Sequence, residues 1–122
     1  MFAIGTILEV RRGAYRHVAI SLGYDQVLQN TPERGEEIVP LAEFAKGMKF
    51  SARPTLGIQA PPFLQRVSEI MAHPRPYHLL FNNCEHTVYR AVYGRAVSPQ
   101  LAGIAIAIAV VGIVIWATSK SD

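Results

Sequence analysis

Cysteine is almost lacking from this sequence, since Cys84 is the only one in 122 residues. An internal disulfide is excluded, and a single reduced thiol fits a cytosolic setting. A zinc site is disfavoured as well, because zinc needs three or four ligands and no second cysteine accompanies Cys84 and His86, with His73 and His78 upstream. We expect neither a metal ion nor a cofactor.

Charge is also scarce, at 17% of the residues with a formal net charge of +3. The one local group of cations is Arg11, Arg12 and Arg16, with few aromatic residues among them, so nucleic acid is not an expected partner. The basic excess fits a solvated surface or contact with an anionic membrane. A basic leader with a cleavage site is lacking too, and we expect no signal peptide.

One long apolar run is present, residues 101–117, and its 17 residues carry no charge. As a helix it would extend roughly 26 Å, close to the hydrocarbon thickness of about 30 Å. Trp116 fits an interfacial position, and Pro99 can begin the helix. A buried core helix is the alternative, but it would need protein on every side. The run predicts a membrane-spanning helix and hence a membrane partner through 101–117.

The predicted span divides the chain into three parts. These are a folded domain at 1–97, a transmembrane helix at 98–118 and a short polar tail at 119–122. Arg90 and Arg95 precede the span and Lys120 follows it, which predicts a single-pass protein with its N-terminal domain on the cytosolic side. The oligomeric state is not indicated.

The fold class predicted for the domain is α+β, with a small antiparallel sheet packed on helices. Strand patterns cover 5–12, 17–24, 26–31 and, less clearly, 48–54, with a polar turn at 31–37. Helical patterns cover 39–47, 63–73 and 84–94, the last with Asn82 or Asn83 as its N-cap. In the second strand His17 shares a face with Ala19 and Ser21, which predicts room beside its ring.

Cys84 has three interpretations from the residues alone: a small buried hydrophobe, a metal ligand or a nucleophile. Its place in the first turn of a helix predicts that the helix dipole favours the thiolate. A neighbouring histidine would activate it further, and His17 is the candidate base.

Two segments then resemble a known family. "YRHVAISLG" (15–23) and "NCEH" (83–86) are similar to the two signature boxes of the lecithin retinol acyltransferase (LRAT) family and its phospholipase and acyltransferase relatives. "GTILEVRR", "VPLAEF", "AVYGRA" and the C-terminal apolar run extend the resemblance. It implies a circularly permuted, NlpC-type papain-like fold for residues 1–97.

The resemblance implies roles for three residues. Cys84 would be the nucleophile, with its backbone N–H as an oxyanion donor, and His17 the general base and acid. Twelve positions after His17, where the family usually has a second histidine, this sequence has Gln29, whose side-chain oxygen can fix the tautomer of His17. The implied supporting residues are Tyr15, Arg16, Asn83, Glu85 and His86. Val18 and Thr87 stand where aromatic residues are common in the family.

The expected function is that of a membrane-anchored thiol phospholipase and acyltransferase. It would cleave an acyl ester of a glycerophospholipid through a thioester on Cys84 and transfer the acyl group to water, an amine or an alcohol. The alternatives are a catalytically impaired, membrane-tethered binding or regulatory module, which Gln29 favours, a cysteine peptidase or amidase, and a protein that perturbs membranes through its anchor.

Overall fold

A computed structural model describes residues 1–13, 15–79 and 82–94, with Tyr15 described by its backbone alone. The strands are β1 (Ile7–Arg12), β2 (Tyr15–Gly23), β3 (Gln26–Thr31), β4 (Gly35–Pro40) and β5 (Ser51–Arg53). The helices are α1 (Leu41–Ala45), α2 (Ala60–Ala72) and α3 (Cys84–Tyr93).

The strands form one antiparallel sheet in the order β4-β3-β2-β1-β5. Strands β1 to β3 lie where the alternating patterns predict them. The prediction of a turn through 31–37 is wrong at its end, because β4 begins at Gly35. Glu36 and Glu37 pair in register with Asn30 and Gln29, so partners on β3 hold two acidic residues in a strand despite their low strand propensity.

Strands β2 and β3 are paired along only about half of their length. Their ladder runs from Gly23↔Gln26 to Ile20↔Leu28, whereas β1 stays paired with β2 as far as Arg12↔Tyr15. On the N-terminal side of Ile20, the backbone edge of β2 that faces β3 is not paired with β3 and can bind other partners. The start of α3 uses this opening, since Asn30 on β3 donates from Nδ2 to the carbonyl oxygen of Asn82, at 2.7 Å.

Apolar side chains cover both faces of the sheet. On one face α2 and α3 pack on the sheet, and the buried residues there include Val18, Ile20, Leu28, Phe63, Val88 and Cys84. On the other face α1 contributes Phe44 to a cluster with Leu8, Val10, Ala19, Val27 and Val39. The alternation along β2 and β3 produces this division, because successive side chains of a strand point to opposite faces.

Helix α1 ends in an uncommon conformation. Lys46, its C-cap, has φ +50° and ψ +40°, and its N–H donates to the carbonyl oxygen of Ala42. A residue with a Cβ is disfavoured in this left-handed region by about 1 kcal/mol, and glycine or asparagine is the usual occupant. Gly47 follows with φ +75°, so the predicted stop at Gly47 lies one residue after the cap.

The predicted fold class requires a correction. The structure is a small α+β domain with a five-stranded antiparallel sheet, and none of the helices in the described ranges has the length and apolarity needed to cross a bilayer. Helix α2, with 13 residues, would extend only about 20 Å, and it carries charged residues. The prediction of this domain combined with a transmembrane helix is therefore wrong for the described fold. The segment 98–118, and the topology inferred from it, lie outside the described residues.

Candidate active site

Helix α3 begins with a reciprocal capping arrangement that fixes the backbone beside Cys84. Asn83 is the N-cap, as predicted, and its Oδ1 accepts from the N–H of His86 at 3.1 Å. In return Nδ1 of His86 accepts from the N–H of Asn83 at 3.0 Å. Burial lowers the pKa of His86, which favours the neutral ring that this acceptor role requires. His86 is thus a capping residue, one of the roles that the sequence allowed for it.

Cys84 is the first residue of α3 and is only 3% exposed. Its Sγ lies 3.7 Å from the carbonyl oxygen of Arg16, on the stretch of β2 that β3 leaves unpaired. Burial raises the pKa of the thiol, and the N–H groups of Val18, Glu85 and Cys84 offset this only in part. The N–H groups at the helix start lower the pKa of the thiol, as predicted, but the loss of hydration outweighs them, and the net effect favours the thiol over the thiolate.

His17 projects from β2 toward α1. Its ring centroid lies 5.2 Å from that of Phe44, and the side chain is 2% exposed. The predicted room beside the ring is filled by this contact, which the strand pattern could not show because Phe44 comes from a different element. Burial lowers the pKa of His17 to about 4, and the charges of Arg12 and Lys46 act in the same direction. His17 is a neutral imidazole at neutral pH.

The contacts of Gln29 determine which nitrogen of His17 carries the proton. The amide nitrogen of Gln29 donates to Oε1 of Glu37 at 3.1 Å, so the amide oxygen faces His17. That oxygen lies 3.2 Å from Nε2 of His17, which must then hold the hydrogen. Nδ1 is consequently unprotonated and able to accept a proton. The structure thus brings together two of the three residues to which the resemblance assigns catalytic roles.

The side chains of Cys84 and His17 pack against different faces of the sheet, whereas the resemblance implies that the thiol and its base act together. The thiol belongs to the apolar cluster on the α2 and α3 face, whereas the imidazole packs against Phe44 on the α1 face. The sulfur reaches the β2 backbone at Arg16 and Val18, the two neighbours of His17. Among the described residues, no hydrogen bond joins Cys84 to His17.

A buried polar network supports the start of α3. Glu36 on β4 accepts from Oγ1 of Thr87 at 2.7 Å and from the backbone N–H of Arg75 at 2.7 Å, and it forms a salt bridge with Arg90. Thr87 also accepts from Nδ2 of Asn30 at 3.1 Å. Thr87 therefore connects α3 to both β3 and β4, a role that an aromatic residue at this position could not fill.

The remaining supporting residues lie around the first turn of α3. Arg16 is 3.8 Å from the carboxylate of Glu85 and 3.5 Å from that of Glu9, so it links β1 and β2 to α3. Glu85 is buried, and its charge adds to the rise in the pKa of the thiol. The side chain of Tyr15 lies outside the described structure.

Several residues of the site were not identified from the sequence. Glu37 orients Gln29, and its register opposite Gln29 would have been the signal had β4 been recognised as a strand. Phe44, Glu36 and Arg90 are brought in by tertiary contacts, for which the sequence offers no local pattern. Within the described ranges, no three His, Cys, Asp or Glu side chains cluster closely enough to hold a metal ion.

The geometry can be compared with known proteins. No protein-family model matches this chain. A search of curated proteins finds no match either. The resemblance of residues 15–23 and 83–86 to the two boxes thus stands on those residues alone, and any functional assignment depends on the site itself.

The lowered pKa of His17 predicts a loss of stability in acid. The unfolded chain takes up a proton near the ordinary pKa of 6.5, whereas the folded protein resists it until about 4. Stability is therefore fully present above pH 6.5 and falls as the pH drops toward 4, by roughly 3 kcal/mol for this group. Urea unfolding across this interval measures it. A His17→Gln variant should lose markedly less, and an equal loss in both proteins would contradict the assignment.

Proposed function

We propose that the protein is a cysteine-dependent acyl hydrolase or acyltransferase acting on glycerophospholipids. The observation that carries the proposal is the chain of contacts from Glu37 through Gln29 to His17, next to the backbone that receives the sulfur of Cys84. This chain leaves Nδ1 of a neutral imidazole free to take a proton, which is what a general base requires.

The proposed reaction has two acyl transfers. Sγ of Cys84 attacks the ester carbonyl carbon while its proton passes to Nδ1 of His17. The resulting oxyanion is held by the N–H of Cys84, and His17 returns the proton to the departing lysophospholipid oxygen as the ester bond breaks. Water, an amine or an alcohol then attacks the thioester, gives its proton to His17, and releases the acyl group as the thiol re-forms.

The thiol has to change its contact before this reaction begins. It now donates to the carbonyl oxygen of Arg16, so substrate binding must turn Sγ away from that oxygen and toward His17. Hydrogen bonds of this kind are often long or absent in the free enzyme and shorten when substrate is bound. The phospholipid substrate and the acyl acceptors come from the resemblance of the two boxes.

Mass spectrometry of the detergent-solubilised chain after incubation with phosphatidylcholine tests the proposal. We expect a mass increase of one acyl chain on the peptide that contains Cys84. Cys84→Ser and His17→Asn should lack the adduct, and His73→Asn, which changes an exposed histidine outside the site, should keep it. A folded, lipid-bound protein with neither adduct nor released fatty acid would overturn the proposal, and turnover of amide substrates alone would favour a peptidase or amidase.

One observation favours a second candidate, a non-catalytic binding or regulatory module. Both Cys84 and His17 are nearly inaccessible, and the thiol is engaged by a backbone carbonyl. A structural thiol of this kind would leave lipid binding unchanged in Cys84→Ser. The absence of an adduct together with unchanged binding would select this candidate.

A further inference from the structure

A cavity of about 300 Å³ has Gln29, the hydrogen-bond partner of His17, in its wall. Gln29 and Thr31 contribute its buried wall, and the other lining residues are partly or fully exposed. The cavity is lined by Arg12, Gln29, Thr31, Glu33, Arg34 and Lys46, and we call it the basic cavity. Because Gln29 lines the cavity and also contacts His17, a molecule bound there would be separated from the proposed base by one side chain.

The lining contains three cations and one carboxylate, that of Glu33. Arg34 is neutralised by salt bridges to Glu37 and Glu43. Arg12 and Lys46 form no salt bridge within the described part of the chain. Nη2 of Arg12 is held by the carbonyl oxygen of Phe44 at 3.0 Å, so this guanidinium is positioned before any ligand arrives.

The backbone at Lys46 supplies an independent observation. The left-handed conformation at this C-cap suits glycine or asparagine better than lysine. A residue in a disfavoured conformation at the edge of a cavity is a candidate for function, because such conformations are concentrated at functional sites.

We propose that the basic cavity binds the phosphate group of the lipid substrate through Lys46 and Arg12. This inference rests on the proposed function and specifies which part of the substrate lies beside Gln29. Ammonium and guanidinium groups both form charge-assisted hydrogen bonds with phosphate oxygens. In a glycerophospholipid the phosphate and both ester carbonyls are attached to one glycerol, so holding the phosphate restricts where the esters can lie. The protein should then prefer phospholipids to diacylglycerol.

The selectivity of acyl release tests the proposal. The full chain is given phosphatidylcholine or diacylglycerol with the same acyl chains, in detergent micelles, and the ratio of the two kcat/KM values is measured. Lys46→Asn should lower this ratio about ten-fold through loss of one charged contact. The variant should fold at least as well as wild type, because asparagine tolerates the left-handed conformation. Lys49→Asn removes the same charge from an exposed lysine outside the cavity lining and should leave the ratio unchanged. An unchanged ratio in Lys46→Asn, or an equal fall in both variants, would overturn the inference.

A binding measurement separates this inference from the proposed function. In an NMR titration, dihexanoyl phosphatidylcholine should shift the side-chain amide signal of Gln29, and Lys46→Asn should weaken binding about ten-fold. This result without acyl release from either lipid would remove the chemistry and keep the phosphate site. Binding that is equal in both proteins would overturn the phosphate site. Inorganic phosphate bound as tightly as the short-chain lipid would show a site for the free anion and overturn the lipid assignment.

Discussion

His17→Asn is expected to slow formation of the acyl adduct on Cys84 by about 100- to 10,000-fold, the usual contribution of a general base. Asparagine cannot take up the thiol proton, and the raised pKa of Cys84 leaves less thiolate than the few per cent that a free cysteine has at pH 7. The variant therefore has neither a base nor a pre-formed nucleophile. Single-turnover acylation with a short-chain phospholipid measures the loss.

The pH dependence of the same reaction distinguishes a neutral pair from an ion pair. With His17 neutral down to a pKa of about 4 and the thiol protonated, the wild-type rate should stay nearly constant from above pH 4 to neutrality. A thiolate paired with imidazolium would instead require the thiol to have the lower pKa, and it would react rapidly with iodoacetamide in mild acid. Rapid alkylation there, or a His17→Asn rate equal to that of His73→Asn, would contradict the mechanism.

Glu36→Gln is expected to lower the free energy of unfolding by about 3 to 5 kcal/mol, as when one partner is removed from a buried ion pair. The carboxylate of Glu36 is fully buried, and the substitution leaves the guanidinium of Arg90, only 15% exposed, without its counter-charge. The amide also replaces one of the two carboxylate oxygens, which accept from Thr87 and from the backbone of Arg75. Urea unfolding at neutral pH provides the measurement.

Glu43→Gln is the matched control for this substitution. It makes the same change in the salt bridge with Arg34, where both side chains are more than one third exposed. Solvent screens this pair, so Glu43→Gln should lower the free energy of unfolding by only a small fraction of the loss in Glu36→Gln. Similar losses in the two variants would show that the network around Glu36 contributes no more than a surface pair. Removing Arg90 together with Glu36 should recover part of the loss, because no buried charge is then left unpaired.

Local patterns predicted the elements whose signals are strong. The alternation in β1 to β3, the apolar spacing of Phe63, Val67 and Ile70 in α2, and the capping residue of α3 all lie where expected. Strand β4 was missed because its Gly-Glu-Glu start looks like a polar turn, and pairing with β3 overrides that preference.

The sequence indicated which residues to consider for the candidate site, but it did not predict their protonation states or most of their contacts. The residues alone raised His17 and Cys84 as candidates, and the resemblance added Gln29. The protonation states of His17 and Cys84 depend on burial, and the tautomer of His17 depends on the distant partners Gln29 and Glu37, which no local pattern encodes. The role of Thr87 could not be predicted for the same reason. Its hydroxyl group forms its hydrogen bonds with Asn30 and Glu36, which are distant in the sequence.

The separation of β2 from β3 has a consequence for the order of folding. The contacts that fill the opening join residues 52 and 68 positions apart in the chain, Asn30 with Asn82 and Arg16 with Cys84. Contacts between such distant residues carry the largest loop-closure entropy, and they form late when local hairpins are available first. The β1 to β4 meander can assemble from neighbouring segments, whereas the thiol reaches its position only when the last described helix docks. A nascent or partly unfolded chain would thus hold its cysteine away from the imidazole, and the proposed activity would require the completed domain.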